Sequence, residues 1–344
     1  MKILAIGGTG FIGPSTVAQL QQAGHSVTVF HRGKAKTPLD ANDLIGDRRQ
    51  LDQHRATFAR EKFDVIVDFI LSSERQARQL MDTFRGIAGR VVALSSMDVY
   101  RAWGVFYGLE PGGLEPMPID ENAALRTQRQ TYPTEVLKKL QQLLPWVDDE
   151  YDKVPVERAI LGDNELPGAV VRLPMVYGPG DFLHRLHPFL KPMDDRRPHI
   201  LFANDVAAMR TPRGYVENVA AGIALVAMSP QAEGRIFNVG EPETFSELEW
   251  ARKIAKITRW AGEFIVLPHD KAPPHLHWPG NTAQHLVVST ERIRTELGYV
   301  EPVAADEAMR RTIAWERANP PESPATQSNY EAEDAALAKL NAPV

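Results

Sequence analysis

Short apolar runs rich in Val and Ile alternate with helix-like segments along the first half of the chain. The apolar runs predict five strands, at Lys2–Ile6, Ser26–Phe30, Val65–Ile70, Val91–Leu94 and Ala169–Leu173. The segments between them predict helices at Pro14–Ala23, about Leu51–Arg60, Glu74–Phe84 and from about Val154 onward. Buried strands that alternate with helices are typical of a parallel sheet covered on both faces. The sequence therefore predicts an α/β fold with a Rossmann-type, doubly wound parallel sheet.

The pattern changes to α+β after residue 175. It predicts one strand at Arg235–Val239 and helices near Glu247–Thr258, Thr290–Leu297 and Asp306–Glu316. We expect residues 1–175 to form the Rossmann domain. Residues 176–318 should form mainly a smaller lobe that is partly interleaved with that domain.

Residues 101–150 interrupt the alternation with Gly, Pro and acidic residues, followed by a helix-like stretch at Glu135–Leu144. Insertions of this length often cover a site, so this one is predicted to be a lid or a wall of the substrate site. The alternative is a surface excursion without a role in the site.

The last segment, residues 319–344, begins with Asn319-Pro320-Pro321-Glu322-Ser323-Pro324. A proline-rich stretch of this kind is a semi-rigid linker, and a weak helical pattern follows it. We expect this C-terminal tail to be mobile or to dock on a partner subunit.

Composition narrows the classes of protein. The 344 residues include 39 Lys and Arg against 44 Asp and Glu, and the net charge is −5. A mildly acidic chain has no general attraction for nucleic acid or anionic membrane, so we expect neither as a partner. The chain has no cysteine, which excludes disulfides and thiolate chemistry. No run approaches ~18 consecutive apolar residues, and the first one is too short for a secretion signal, so we expect a cytoplasmic protein.

A glycine-rich loop follows the first predicted strand and opens the first predicted helix. It reads Gly7-Gly8-Thr9-Gly10-Phe11-Ile12-Gly13. Gly7 suits a tight turn, Gly10 lets the backbone approach a pyrophosphate, and Gly13 lets helix and strand pack closely. The N–H groups at the helix start attract phosphate. The loop, with Thr9, Phe11 and Ile12, therefore predicts a dinucleotide site.

The end of the second strand indicates which dinucleotide is bound. An acidic residue there would hold a ribose 2′-hydroxyl, but the stretch reads His31-Arg32-Gly33-Lys34. Because Arg32 and Lys34 can pair with a 2′-phosphate, we predict NADP, with NAD as the alternative. Arg32 could instead stack on adenine or face solvent. Asp47 is either an adenine contact or part of a solvated loop.

The glycine loop and several later stretches resemble the extended short-chain dehydrogenase/reductase superfamily, in its branch of NAD(P)-dependent nucleotide-sugar epimerases and dehydratases. The resemblance covers residues 1 to about 315. Besides the loop, it rests on Leu94–Tyr100, Pro118–Glu121, Arg172–Gly180, Phe237–Gly240 and Leu297–Tyr299. It implies a nicotinamide cofactor, a small-molecule substrate and, as is common in relatives, a homodimer.

The resemblance also implies a catalytic tyrosine, a lysine four residues later that lowers its pKa and holds the nicotinamide ribose, and a serine that orients the substrate. Ser96 matches the serine, but four residues after Tyr151 stands Pro155, and the nearest lysine is Lys153. One alignment keeps Lys153 and puts Asp149 in the tyrosine position.

We favour another alignment, in which the helix starts late, since Pro155 fits only its first turn. Tyr151 and Lys153 would then point the same way from extended backbone and act as acid/base and ribose ligand. The third possibility is that Tyr151 only packs and the dyad is lost.

Further site residues follow from the same resemblance. It places Pro174 beside the cofactor, and Met97, Asp98 and Tyr177 beside the substrate; Asp98 could equally be a turn residue. Arg210 and Arg213 match a stretch that meets a nucleotide diphosphate, with plain surface arginines as the alternative.

Two histidine pairs could suggest a metal site. His184 and His187 form one pair, and His275 and His277 form the other. Neither pair has a carboxylate at metal-ligand spacing, so we predict no metal site.

These observations predict an NAD(P)-dependent oxidoreductase that transfers hydride at a hydroxyl or carbonyl carbon of a nucleotide-sugar-like or small carbonyl substrate. Epimerase and reductase chemistry both remain open. The alternative is a non-catalytic cofactor-binding protein related to the stem-loop RNA-binding members of the superfamily, against which the negative net charge argues.

Overall fold

The computed structural model describes residues 1–34, 36, 41–129, 134–322 and 329–340. The strands in this part of the chain are β1 Lys2–Ile6, β2 Ser26–His31, β3 Asn42–Ile45, β4 Val65–Asp68, β5 Arg90–Ser96, β6 Gly168–Leu173, β7 Met175–Tyr177, β8 His199–Ala203, β9 Arg213–Tyr215, β10 Ile236–Asn238 and β11 Glu263–Leu267. The α-helices are α1 Gly13–Gln22, α2 Arg55–Glu61, α3 Glu74–Phe84, α4 Arg101–Phe106, α5 Thr134–Leu143, α6 Lys153–Leu161, α7 His187–Asp194, α8 Asn204–Ala208, α9 Val216–Met228, α10 Glu247–Thr258, α11 Glu291–Leu297, α12 Ala305–Ala318 and α13 Tyr330–Leu340.

A seven-stranded sheet organises the molecule, in the order β10-β6-β5-β4-β1-β2-β3. Every neighbouring pair in it is parallel. Along the chain the sheet grows outward from β1 to β3 and then on the other side from β4 to β10, so the strand order reverses between β1 and β4. Ligands of such sheets bind outside the carboxyl ends of the strands at this reversal. The predicted α/β, Rossmann-type fold is confirmed.

Helices cover both faces of the sheet, which explains why the strands are continuously apolar. Successive residues of β1 alternate between two cores: Ile3 and Ala5 belong to the core that contains α1 and α9, and Leu4 and Ile6 to the core that contains α3 and α6. All four side chains are completely buried. Side chains of a strand point to opposite faces in turn, so a strand buried on both sides is apolar at most positions of both faces.

A smaller lobe follows β6. It contains two short parallel sheets, β7 with β9 and β8 with β11, and the helices α7, α8 and α10. The chain returns to the large sheet between them, because β10 pairs with β6 and α9 packs beside α1. The strand predicted at Arg235–Val239 therefore belongs to the Rossmann sheet, although it lies in the half of the sequence with the α+β pattern.

The C-terminal helix α13 packs on the smaller lobe of its own chain. The Tyr330 hydroxyl donates to Asp195 Oδ2 at 2.6 Å, and Asp334 pairs with Arg197. The expectation was that the tail is mobile or docks on a partner subunit; in the structure this helix docks on its own chain. Aromatic and charged contacts anchor it, and the sequence pattern of a weak helix did not reveal them. Residues 323–328 of the predicted linker lie outside the described residues.

Among the described residues, no helix is long and apolar enough to cross a membrane. The same residues contain no group of three or more His, Asp or Glu side chains arranged to hold a metal ion.

Candidate active site

The glycine loop forms the turn between β1 and α1. Gly7 has a φ of +81°, and its N–H donates to Phe30 O at 3.0 Å, which ties the loop to the end of β2. A Cβ on Gly10 would meet only Gly7 O, at 3.7 Å, so the backbone there is open to a ligand. A Cβ on Gly13 would lie 2.4 Å from the Gly8 backbone, so helix and loop are in direct contact. The three glycines thus have the three separate roles that the spacing predicts.

The start of α1 is open as well. Its N-cap residue, Ile12, makes no side-chain capping bond, so no side chain of the helix start shields the first-turn N–H groups. An uncapped helix start carries partial positive charge and unsatisfied donors. The loop therefore fits a pyrophosphate.

A cavity of about 320 Å³ lies in front of this loop, and we call it the loop cavity. Its wall contains eight of the predicted cofactor residues, which are Gly7, Thr9, Gly10, Phe11, His31, Arg32, Lys34 and Asp47. Ile12 and Gly13 lie behind the loop at the helix start rather than in the wall. Residues 143–146, at the end of the insertion, form the opposite wall, so part of the insertion borders this cavity.

The charges at one end of the loop cavity come from the ends of β2 and β3. His31 is buried and its Nε2 lies 2.7 Å from Asp43 Oδ1 on β3, so this carboxylate meets an imidazole rather than the cavity. Arg32 is exposed at the cavity wall. Asp47 caps the turn after β3, and its hydrogen bonds with Arg49 lower the pKa of the carboxyl to about 2. The end of β2 thus presents a cation and no acidic side chain of its own.

The helix that carries Lys153 begins at that residue. Asp152 is its N-cap, with an extended backbone and a side chain that accepts from Val154 N at 3.0 Å. Pro155 therefore lies in the first turn, where its missing N–H costs no helical bond. Tyr151 precedes the helix in irregular backbone. The helix therefore starts late and Pro155 fits its first turn, but Lys153 is the first helical residue, so the expectation that both Tyr151 and Lys153 lie in extended backbone was wrong for Lys153.

The ammonium group of Lys153 is buried at the carboxyl ends of the central strands. It donates to Leu71 O and, at 3.1 Å, to Leu94 O. The Tyr151 ring lies 6.0 Å from it and the Trp146 ring 5.7 Å. Burial lowers the pKa of Lys153 to about 8, although the nearby carboxylates act to raise it. Tyr151 and Lys153 are thus neighbours despite their unusual spacing.

Ser96 and Asp98 lie beside this pair. Ser96 ends β5, and its Oγ accepts from Asp98 N at 3.3 Å. Asp98 Oδ1 is buried without a hydrogen-bond partner among the described residues. Burial raises the pKa of this carboxyl, although Arg126 and Lys153 act to lower it. A buried carboxyl with a raised pKa beside a lysine is typical of functional sites.

The alternative alignment, with Asp149 in the tyrosine position, places that residue elsewhere. Asp149 is exposed and its Oδ1 accepts from Gln141 Nε2 at 2.8 Å, on the insertion helix. Of Asp149 and Tyr151, Tyr151 is the residue whose side chain approaches Lys153.

A second cavity, of about 340 Å³, lies in the smaller lobe, and we call it the lobe cavity. Its wall includes Tyr177 and Arg213, two of the predicted substrate residues. Tyr177 donates to Glu241 Oε1 at 2.6 Å. Arg213 forms a two-pronged pair with Glu247, at 2.6 and 2.7 Å.

Besides Ile12 and Gly13, seven predicted residues line neither cavity wall; they are Ser96, Met97, Asp98, Tyr151, Lys153, Pro174 and Arg210. Arg210 is partly exposed and pairs with Glu249 at 3.0 Å. Met97 is 1% exposed and belongs to a hydrophobic cluster under α4, so it packs in the core and does not face a substrate. Met97 follows Ser96 as the motif predicts, but packing turns its side chain into the hydrophobic cluster. Pro174 packs against Gly214 and Gly240 at the end of β6.

Several residues of the two cavities were missed by sequence reasoning. Arg48 and Trp146 line the loop cavity, and Glu247, Tyr330 and Glu333 line the lobe cavity. Arg48 follows Asp47 and is almost fully buried, and its Nη2 lies 3.0 Å from Asp68 Oδ2. The sequence gives no signal that this arginine is buried, because its partner lies 20 residues away. The aromatic residues Trp146 and Tyr330 lie in segments whose docking the sequence pattern does not show.

The fold and the glycine loop are typical of Rossmann-type dinucleotide-binding proteins. Residues 3–105 match the model of the NAD dependent epimerase/dehydratase family. The resemblance that the sequence motifs indicated is thereby confirmed over the region that holds the glycine loop. None of the curated proteins matches the chain in sequence.

Solved structures extend the likeness to the whole fold. UDP-glucose 4-epimerase of Thermotoga maritima, solved with UDP-glucose, superimposes with a TM-score of 0.64 at 17% identity, over 92% of this chain and 99% of that one. UDP-glucuronic acid 4-epimerase of Bacillus cereus, solved with UDP-glucuronic acid and NAD, gives 0.64 at 16% identity over the same shares. Pal from Bacillus thuringiensis gives 0.62 at 19% identity, again over 92% and 99%. At these identities the likeness establishes the fold.

Proposed function

We propose that the protein is an NAD(P)-dependent oxidoreductase of the epimerase/dehydratase type. It would transfer hydride at a hydroxyl or carbonyl carbon of a nucleotide-sugar-like or small carbonyl substrate. The observation that carries this proposal is the loop cavity, where eight predicted residues from three stretches of the chain meet in front of an open glycine loop at the point of strand reversal. The match to the epimerase/dehydratase family and the NAD-bound epimerase neighbours support it.

The residues present fit a nicotinamide dinucleotide. The open backbone at Gly10 and the uncapped start of α1 suit a pyrophosphate. His31, Arg32 and Lys34 line the cavity at the end of β2, where the ribose would bind, and Asp47 would contact the adenine. Because Arg32 and Lys34 bring two cations and the Asp43 carboxylate is engaged by His31, we propose NADP as the preferred cofactor.

The chemistry of hydride exchange is supplied by the nicotinamide when it is bound. Two N–H donors of the Lys153 ammonium group bind Leu71 O and Leu94 O. In our proposal the third N–H donor binds the nicotinamide ribose. Tyr151, whose ring lies 6.0 Å from this ammonium group, would move the proton of the substrate oxygen. Ser96 donates to the same oxygen and orients it. Asp98, whose buried Oδ1 has no partner among the described residues, would face the substrate, and Pro174 would lie beside the cofactor. Tyr177, Arg210 and Arg213 would serve the distal part of the substrate.

Neither the matching family model nor the similar solved structures support the alternative of a non-catalytic RNA-binding protein, so we propose an enzyme. We further propose a cytoplasmic location, because the chain has no cysteine. We propose a homodimer, because homodimers are common among the proteins that the sequence resembles. Whether the substrate is epimerised or reduced follows from the state of the cofactor.

The experiment that tests the proposal is the identification of nucleotide in the purified protein by absorbance and mass spectrometry, before and after denaturation. Release of tightly held oxidised nicotinamide would indicate an epimerase cycle, in which the cofactor need not leave. An empty protein that binds NADPH reversibly would indicate a reductase. A protein that neither holds nor binds any nicotinamide nucleotide would refute the proposal.

A further inference from the structure

The lobe cavity has mostly apolar and aromatic walls. They include Tyr177, Phe189, Phe202, Trp250, Trp278 and, from the C-terminal helix, Tyr330. Tyr177 packs edge-on against Trp250, with ring centroids 5.1 Å apart, and Phe106 packs edge-on against Trp278 at 6.3 Å. Aromatic walls of this kind bind flat apolar groups by burial and by ring contacts.

The cation that a phosphate would need is already neutralised. Arg213 gives two hydrogen bonds to Glu247, which is 2% exposed and also accepts from Thr211 Oγ1 at 2.8 Å. The guanidinium also lies over the Trp250 ring, 4.7 Å from its centroid. A two-pronged pair buried in this way uses the fork of the guanidinium that would otherwise grip a phosphate.

The other charged side chains of the wall are paired too. Arg185 donates to Asp181 Oδ1 at 2.6 Å and to Val176 O at 3.0 Å. His275 Nε2 lies 3.1 Å from Glu333 Oε1. Of the described residues that line the cavity, each charged one therefore has a partner within the protein, and the pairing of Arg213 with Glu247 leaves that arginine without a free charge for an anion.

We infer that the lobe cavity binds an uncharged, aromatic part of the substrate and rejects a nucleoside diphosphate, because Glu247 neutralises Arg213. A diphosphate placed there would lose its hydration without gaining a free cation. The inference rests on the proposed function in one respect, that the lobe cavity holds part of the substrate. It selects the small carbonyl or alcohol alternative over the nucleotide sugar and gives that substrate an aromatic group.

The test uses the full-length protein and two probes. N-phenyl-1-naphthylamine is a neutral aromatic dye whose fluorescence rises on burial, and UDP represents a nucleoside diphosphate. We expect saturable dye binding that an uncharged aromatic aldehyde, 2-naphthaldehyde, displaces. UDP should leave the dye in place up to about 1 mM, which corresponds to a binding free energy weaker than about −4 kcal/mol. The inference is overturned if the dye does not bind, or if UDP displaces it at micromolar concentration.

A matched pair of variants tests the role assigned to Glu247. Glu247→Gln keeps the shape of the side chain and removes its charge, so Arg213 becomes available and UDP should bind at least tenfold more tightly than to the wild type. Glu333→Gln removes an equal charge from the same cavity but leaves Arg213 paired, so UDP binding should not change. Equal UDP affinities of Glu247→Gln and Glu333→Gln would overturn the inference. Circular dichroism verifies folding, and if Glu247→Gln does not fold, the wild-type measurements decide alone.

NADPH titration of the same samples separates this inference from the proposed function. NADPH binding together with UDP binding in the lobe cavity would overturn the inference and keep the oxidoreductase. Loss of all nicotinamide binding would refute the oxidoreductase while the dye and UDP results still describe the cavity.

Discussion

Glu157 and Arg172 form a buried, two-pronged ion pair that joins α6 to β6. Arg172 Nε donates to Glu157 Oε1 at 2.9 Å and Arg172 Nη2 to Oε2 at 2.7 Å, and both side chains are 3% exposed or less. Ser95 Oγ, on β5, donates to the same carboxylate at 2.6 Å. Since Glu157 lies one helical turn after Lys153, this pair sets the position of the helix start that presents the lysine.

Replacing Glu157 with Gln should lower the free energy of unfolding by roughly 3–5 kcal/mol, because the Arg172 charge would stay buried without its partner. Urea unfolding followed by circular dichroism measures this. The matched control is Glu165→Gln, at a 72% exposed carboxylate that pairs with Arg85. Its effect should stay within about 1 kcal/mol. Equal losses for the two variants would contradict the structural role of the pair.

Replacing Tyr151 with Phe should lower the rate of NADPH oxidation by about 10²–10⁴-fold, since the acid/base group is lost while the ring remains. The assay follows the loss of NADPH absorbance with a panel of aromatic aldehydes and ketones. NADPH affinity should stay within about twofold of the wild type. Tyr107→Phe, at a tyrosine 48% exposed, is the control and should keep its rate. An unchanged rate for Tyr151→Phe would remove Tyr151 from the mechanism.

Replacing Arg32 with Ala should weaken NADPH binding by roughly tenfold to a hundredfold, the loss expected for one charge-assisted hydrogen bond to the 2′-phosphate. NADH binding should hardly change, because NADH has no such phosphate. Fluorescence titration with both nucleotides measures the two dissociation constants. Arg60→Ala, at an exposed arginine on α2, serves as the control. If the wild type binds NADH more tightly than NADPH, the NADP assignment is wrong.

The lowered pKa of Lys153 predicts a specific pH dependence of stability. In the folded state the pKa is about 8, against an ordinary value of 10.5, so between these values the unfolded chain binds more protons than the folded one. The contribution of Lys153 to stability should therefore increase as pH rises from 8 to 10.5, by at most about 1.4 kcal/mol per pH unit. Urea unfolding of the wild type and of Lys153→Met at several pH values isolates this term. Parallel stability profiles for the two proteins would show that Lys153 titrates normally.

The chain of apolar strands and the glycine spacing were enough to predict the Rossmann sheet and the phosphate loop. β1 and α3 have the predicted bounds, and the other central strands are shifted by at most a few residues. The signal is strong because strands buried on both faces are mostly apolar and because a tight turn needs glycine. The strand β3 was missed, since it is a short edge strand with largely exposed side chains and so has no apolar pattern.

What the sequence by itself determined is therefore local: the periodicity of buried strands, the phosphate loop, and the cationic end of β2. Only the tertiary structure decided which distant residues meet, because partners far apart in the chain are brought together by packing that no local pattern encodes. It turned Met97 into the core, brought Leu94 O within 3.1 Å of the Lys153 ammonium group, and paired Arg213 with Glu247 in the lobe cavity. It also placed α13 against its own lobe, where Tyr330 and Glu333 complete the cavity wall.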